Sequence, residues 1–264
     1  MTVKLFEAGE HRCIAFEDLV RCDDRVSGPS ESCDSVQANQ FLVVDNGRAA
    51  LIAPGGTLPY NRLFMEVSQH FFVKHLDYVI ASHQDPDIVA SLNKWMVATD
   101  AQVIVPAIWA RFIPHFANPG RTEGRLIPIP DGGMDIRLGE SVLKALPAHF
   151  LHSEGNFHFY DPVSRILFSG DVGAAMVDPE DLAEPVSDFE AHRQYMEPFH
   201  RRYMNSNRAC RFWVNMVRGL DVEAIVPQHG PHFRGRKMVN RFLDWFEELE
   251  CGVDLMTQAD YQVP

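Results

Sequence analysis

The segment His83-Gln84-Asp85-Pro86-Asp87 constrains this chain more than any other. It follows a strand-like run, Leu76-Asp77-Tyr78-Val79-Ile80-Ala81-Ser82, and opens what reads as a helix. Side chains alternate along an extended backbone, so His83, Asp85 and Asp87 are expected on one side. Pro86 biases Asp85 away from helical dihedrals and keeps that alternation alive. One imidazole and two carboxylates therefore leave the end of a strand together, which suits a metal ion. The competing reading has the two aspartates merely capping the next helix. It weakens because His152, Asp171 and His229 each occupy a comparable place, and together the six residues read as a dinuclear metal site.

Each later residue has its own local case. His152 lies in Ala148-His149-Phe150-Leu151-His152-Ser153-Glu154-Gly155-Asn156, after a strand at 142–146. His149 competes with it, and His158 belongs to the following strand; His152 is favoured as the nearest to the Glu154-Gly155 loop. Asp171 follows the apolar run Ile166-Leu167-Phe168-Ser169-Gly170, where an Asx-type turn is the bland alternative. Its two oxygens allow it to bridge two ions. His229 ends the run Ala224-Ile225-Val226-Pro227-Gln228, beside Gly230, which frees the backbone. His232 is a nearby decoy; Gln228 and Phe233 are candidates to orient or shield the site, though nothing in the sequence demands either.

Short strands and helices alternate in two halves. Cys13–Phe16, Phe41–Asp45 and Ala49–Ala53 read as strands, the last two joined by the hairpin turn Asn46-Gly47. Leu63, Phe64, Val67, Phe71 and Phe72 recur at helical spacing and predict a helix over 60–72. A helix from Ile88 to Met96, a strand at 102–105 and a helical or irregular stretch to about Phe116 follow. Residues 126–129, 136–138 and 142–146 read as strands of a second sheet, and 156–160 with 165–168 as a hairpin. An acidic connection from Asp178 to Asp188 leads to two helices within 189–219, a strand at 224–226 and a closing amphipathic helix over 236–250. In that last helix Phe242, Trp245, Phe246 and Leu249 face inward. The pattern predicts two packed sheets flanked by helices, in one domain spanning 1–264.

Composition excludes some partners. A formal charge of -12 opposes broad nucleic-acid or anionic-membrane binding, although bound cations would neutralise part of it. The start of the chain lacks the apolar core of a signal peptide, and no run approaches the roughly 18 apolar residues of a membrane span. Cys13, Cys22, Cys33, Cys210 and Cys251 are widely spaced with no CxxC pair, as expected of reduced thiols in a soluble cytoplasmic protein.

The order HxDxD, a His ahead of Gly155-Asn156-Phe157, Asp171 in Leu-Phe-Ser-Gly-Asp and His229 in Pro-Gln-His-Gly resembles the metallo-β-lactamase superfamily. Within it, the chain looks most like the diiron domain of the flavodiiron proteins, which are oxygen and nitric oxide reductases. The likeness runs from about residue 40 to 235 and takes in Tyr203 and Asn205. It implies an α/β (α+β) fold, a four-layer αββα sandwich with the site at one edge of the sheets. Carried over by position, it implies that His83, Asp85 and His152 hold one metal, Asp87 and His229 the other, and Asp171 bridges. Three departures stand out. Asp85 replaces the family's Glu, Ile88 replaces the His that ends the family's HxExDH motif, and no flavodoxin domain accompanies these residues. FMN is therefore not expected in this chain, which resembles the flavin-less oxygen-binding diiron proteins.

The chemistry follows from the donor set. Hydrolytic relatives carry HxHxDH and commonly use zinc. Three His and three Asp shift the preference toward two iron ions, with manganese or zinc as alternatives. The second metal has fewer ligands because Ile88 cannot coordinate, and Ile88 is expected to add an apolar wall beside it. The expectation is a protein that binds dioxygen or nitric oxide, reducing it slowly or sensing it. No catalytic groups are expected beyond the ligands, and efficient turnover would need a rubredoxin-like electron donor. A signalling partner and a homodimer complete the expected associations. The alternative is a dinuclear hydrolase of phosphodiesterase or lactonase type, with two ions about 3.5–4 Å apart activating water.

Overall fold

The computed structural model describes residues 2–17, 19, 36–177, 182 and 184–263. Cys22, Cys33 and the first residues of the acidic connection, from Asp178, lie outside them. One seven-stranded sheet is built from β1 (Thr2–Ala8), β2 (His11–Phe16), β3 (Gln40–Asp45), β4 (Arg48–Ile52), β5 (Tyr78–Ile80), β6 (Gln102–Pro106) and β7 (Leu126–Ile129) in that order. The first four strands are antiparallel; β4 to β7 run parallel. The second sheet has six strands: β8 (Met134–Leu138), β9 (Ser141–Pro147), β10 (Phe157–Asp161), β11 (Ile166–Phe168), β12 (Ala224–Val226) and β13 (Phe233–Arg234), in the order β13-β12-β11-β10-β9-β8.

Two-residue periodicity explains why the sheets stack. Along β3, Phe41 and Val43 face the second sheet, while Leu42 and Val44 face helices on the opposite side. Phe41 meets Phe168 of β11 across the interface, with ring centroids 5.0 Å apart. Outside the first sheet, α1 (Tyr60–His70), α2 (Pro86–Val89) and α3 (Leu92–Ala98) bury Leu63, Val67, Ile88, Leu92, Trp95 and Met96. The short α4 (Ala107–Ala110) follows β6. Outside the second sheet, α5 (Phe189–Tyr203), α6 (Asn207–Val217) and α7 (Arg236–Glu248) bury Met196, Trp213, Phe242 and Phe246. The layers are thus helix, sheet, sheet, helix, as expected.

Several local expectations need correction. Residues 126–129 form β7 of the first sheet, paired in parallel with β6, and not a strand of the second. The helix expected from Ile88 to Met96 is two helices, broken at Ala90 and Ser91. The strand before His83 ends at Ile80. Pro86 then takes the first turn of α2 behind Asp85 at its N-cap, so Asp87 is helical and alternation does not continue to it. Ile88 points into the helix-facing core instead of forming a wall of the site. The strands β1 and β13 went unpredicted. Trp245 is only partly buried, unlike its neighbours Phe242 and Phe246. Among the described residues, no helix is long and apolar enough to cross a membrane.

The edges of the sandwich are clamped differently. At one, Phe157 N–H donates to Ser82 O (3.1 Å) and Asn39 N–H to Gln228 O (2.6 Å), joining the two sheets. At the other, His11 of β2 lies between two buried carboxylates, with Nδ1 2.9 Å from Asp45 and Nε2 2.8 Å from Asp161 of β10. Two carboxylate acceptors require both ring nitrogens to donate, so His11 is an imidazolium linking the sheets. Burial opposes that charge, but the bonds from Asp161 and Asp45 outweigh it and raise the His11 pKa.

Candidate metal centre

Four chain segments reach the first of these edges from the C-terminal ends of strands: His83 after β5, His152 after β9, Asp171 after β11 and His229 after β12. Ligands in open α/β sheets collect at such ends because the chain leaves the sheet there in loops. Asp85 and Asp87 join from the start of α2, with Asp87 in its first turn. All six residues named from the sequence therefore come together. His149 does not; its Nε2–H donates to Asp131 O at 2.8 Å, away from the cluster. His232 is buried and also stands outside it.

Asp171 organises the cluster. Its Oδ2 lies 2.5 Å from His152 Nε2 and 3.4 Å from His83 Nε2. Its Oδ1 faces the other way, 3.3 Å from His229 Nε2. Asp85 Oδ2 is 3.4 Å from His152 Nε2 and 3.7 Å from His83 Nε2. Asp87 Oδ2 is 3.4 Å from His229 Nε2. The carboxylates thus sort into one set around His83 and His152 and another around His229, with Asp171 common to both.

The donor set fits metal ions. His83 Nε2 and Asp171 Oδ1 are buried without a hydrogen-bond partner, an arrangement that is costly unless something else satisfies them. His229 Nδ1–H donates to Gln37 O at 2.5 Å, which fixes the tautomer and leaves the Nε2 lone pair toward the carboxylates. His83 is oriented in the same way, with Ser82 Oγ 3.0 Å from its Nδ1. Electrostatics agree. Burial alone would lower the pKa of His83, but Asp171 outweighs it and lifts it to about 9. Burial likewise works against His152, and its bonds to Asp171 and Asp85 raise it to about 10. His229 is raised against burial by Asp171. Burial would raise Asp171 and Asp85, yet the surrounding imidazoles hold both well below the usual carboxylate range. Asp87 is raised by burial. The carboxylates thus call for positive charge at three imidazoles, which in a loaded site the metal ions carry.

Further residues surround the candidate ligands. His200 of α5 donates Nδ1–H to Met196 O (2.7 Å) and accepts Gly173 N–H at Nε2 (2.9 Å), tying the Asp171 turn to the helix. His158 of β10 accepts the indole N–H of Trp213 at Nδ1, 2.9 Å away. Burial pushes His158 down to about 3 and His200 down to about 4, so both are neutral supports. Gly230 has φ +82°, and a Cβ there would lie 2.8 Å from Ala175 O, so the turn after His229 requires glycine. Met196 and Trp213 are core. Phe212 is exposed. The ring centroids of Phe199 and Tyr203 lie 6.2 and 5.7 Å from that of His152. His83, Asp171 and His229 are buried while Asp85 and Asp87 are more open, giving the cluster a buried floor and a more accessible mouth.

The architecture recurs in known proteins. The chemotaxis sensor ODP is 38% identical, both as its peroxy diiron species (96% of this chain, 97% of that one, TM-score 0.82) and in its apo state from T. denticola (97% of each, TM-score 0.80). A histidine-to-alanine variant of the flavo di-iron protein of Thermotoga maritima matches at 22% identity, covering 94% of this chain and 60% of that one with a TM-score of 0.73, and shares the fold. An uncharacterised protein of Methanocaldococcus jannaschii is 24% identical over 80% of this chain, which spans about half (52%) of that relative's length. Residues 36–230 match the family described as ODP family beta lactamase, and the chain belongs to that family of metallo-β-lactamase-fold diiron proteins.

Proposed function

We propose that this protein is a non-haem diiron protein that binds dioxygen or nitric oxide and serves as an oxygen sensor. The observation that carries the reading is the division of Asp171, whose two buried oxygens face different histidine groups. In this reading His83, Asp85 and His152 hold one iron, Asp87 and His229 hold the other, and Asp171 bridges them. Two ferrous ions bound there would supply coordination positions and electrons to a diatomic ligand. The chain's own residues do the rest. Gln37 and Ser82 orient His229 and His83, and His200 steadies the Asp171 turn. Phe199 and Tyr203 limit water beside His152.

The likeness to a chemotaxis sensor supports sensing over turnover. The state of the site would then be passed to a signalling protein. Sustained reduction would require a separate electron donor of the rubredoxin kind, since the donor set is not itself a source of further electrons.

The test is anaerobic loading with ferrous iron followed by an air pulse, recording the visible spectrum and oxygen uptake. The expected result is a long-lived absorption band with about one dioxygen consumed per pair of irons. Absence of uptake, with phosphodiester or lactone cleavage by the zinc or manganese form, would replace this reading with a hydrolase.

A further inference from the structure

Gln228 directly precedes His229 and is 1% exposed. Its backbone is pinned on both sides: its N–H donates to Gly170 O at 2.7 Å, and its carbonyl accepts Asn39 N–H at 2.6 Å. The first contact ties it to the turn that carries Asp171, the second to the start of β3. Its side chain is held at one end only. Nε2 donates to Asp87 Oδ2 at 2.9 Å, while Oε1 is buried with no hydrogen-bond partner.

The orientation of this carboxamide follows from charge. Reversing it would press Oε1 against the carboxylate oxygen of Asp87 and forfeit the hydrogen bond, so Nε2 must face Asp87. With C=O and C–N bonds of about 1.2 and 1.3 Å, Oε1 then lies roughly 2.3 Å from Nε2, and hence within about 5 Å of Asp87 Oδ2. A buried carbonyl oxygen without a donor is costly. Two atoms of the candidate ligands, His83 Nε2 and Asp171 Oδ1, are unpaired in the same way.

The second metal position has a place for such an oxygen. It receives Asp87, His229 and one oxygen of Asp171, while Ile88 is buried among Leu63, Val67 and Trp95 and offers nothing. We infer that Gln228 completes this position, its Nε2 holding Asp87 in place and its Oε1 acting as a neutral oxygen ligand. A carboxamide adds a donor without adding negative charge to a site that already has three carboxylates. Carbonyl oxygen is an ordinary ligand for hard divalent ions. This inference rests on the diiron reading.

The experiment is anaerobic equilibrium dialysis of the full chain against ferrous iron with elemental analysis. Cobalt(II) absorption serves as an independent report on coordination. The wild type is expected to take two ions. Gln228→Leu is expected to keep the first and lose about 10–100-fold in affinity for the second. Gln228→Glu removes the amide N–H but leaves an oxygen at the same point, so it should bind the second ion at least as tightly as the wild type, with altered cobalt bands. If Glu weakens the second site as much as Leu does, Oε1 is not a ligand and the inference falls. It falls equally if Leu leaves the second affinity unchanged. Should Gln228→Leu fail to fold, the near-isosteric Gln228→Glu decides alone. A wild-type chain that binds fewer than two ions rejects the diiron reading itself, before any variant is compared.

Discussion

At the scale of single residues, the two oxygens of Asp171 connect three histidines from different strand ends, so in the proposed diiron site its charge would be shared by both metal positions. Asp171→Asn is therefore expected to weaken both ions by more than about 100-fold, beyond what loss of an outer hydrogen-bonding partner costs. Metal content after gel filtration checks this, and a variant retaining two ions would remove Asp171 as the bridge. His11 belongs to a different electrostatic unit. Its raised pKa means that its contribution to stability is complete below the unfolded value of about 6.5 and is lost as pH rises through the folded value. Burial would raise Asp161 and Asp45, but their bonds to His11 lower both, so their contribution is present above about 3.9 and is lost as pH falls through the folded values. The clamp is thus strongest between roughly pH 4 and 6.5. His11→Gln should cost about 3–5 kcal/mol near pH 6, because two buried carboxylates lose their counter-charge. The gap from wild type should narrow as pH rises through the folded His11 value. Urea unfolding of the metal-free proteins measures both, and a gap independent of pH would reject the charged clamp.

At the scale of elements, short strands end beside the site and the long helices α5 and α6 supply the support. The indole N–H of Trp213 in α6 satisfies His158 of β10, and His200 of α5 holds the turn after β11. Trp213→Phe leaves the buried His158 Nδ1 without its donor, which costs about 1–3 kcal/mol before any loss of packing. Denaturant midpoints should fall accordingly, and a loss below about 0.5 kcal/mol would mean that another group satisfies His158. Pro86 shows how one residue redirects an element. Placed at the first turn of α2, it turns Asp87 into a helical residue and sends Ile88 to the core. The family's final His at that position has no counterpart here, and the neighbouring carboxamide of Gln228 is the polar group that approaches Asp87 instead.

At the scale of the whole molecule, the candidate ligands come from both sheets, so metal binding should strengthen the sandwich as a unit. An ion at a free concentration of 100 times its Kd adds about 2.7 kcal/mol. For a chain of this size each kcal/mol corresponds to about 2–4 °C in Tm. Anaerobic ferrous iron should therefore raise the unfolding temperature by roughly 5–10 °C, and the rise should vanish in Asp171→Asn. A thermal shift of equal size in that variant would point to metal bound elsewhere. The far edge, closed by His11, should keep the two sheets joined when the metal edge is empty.

The sequence by itself determined the strand-ending histidines and aspartates, the Asn46-Gly47 hairpin, the apolar face of α7 and the Leu63–Val67 face of α1, although α1 ends at His70 and leaves Phe72 exposed beyond it. Each depends on neighbours within a few residues: apolar period, turn chemistry, and a polar residue where an apolar run stops. Tertiary structure alone decided that Leu126–Ile129 pairs with β6 and that Ile88 faces the core, while it places His152, the histidine the sequence favours, in the cluster and His149 outside it. It also decided that Gln37 and His200 attend the ligands and that Asp87 is the group Gln228 reaches. These outcomes turn on hydrogen bonds between segments far apart in the chain, such as Gln228 to Asp87. No local pattern encodes such a bond, because its strength depends on where the rest of the fold excludes water.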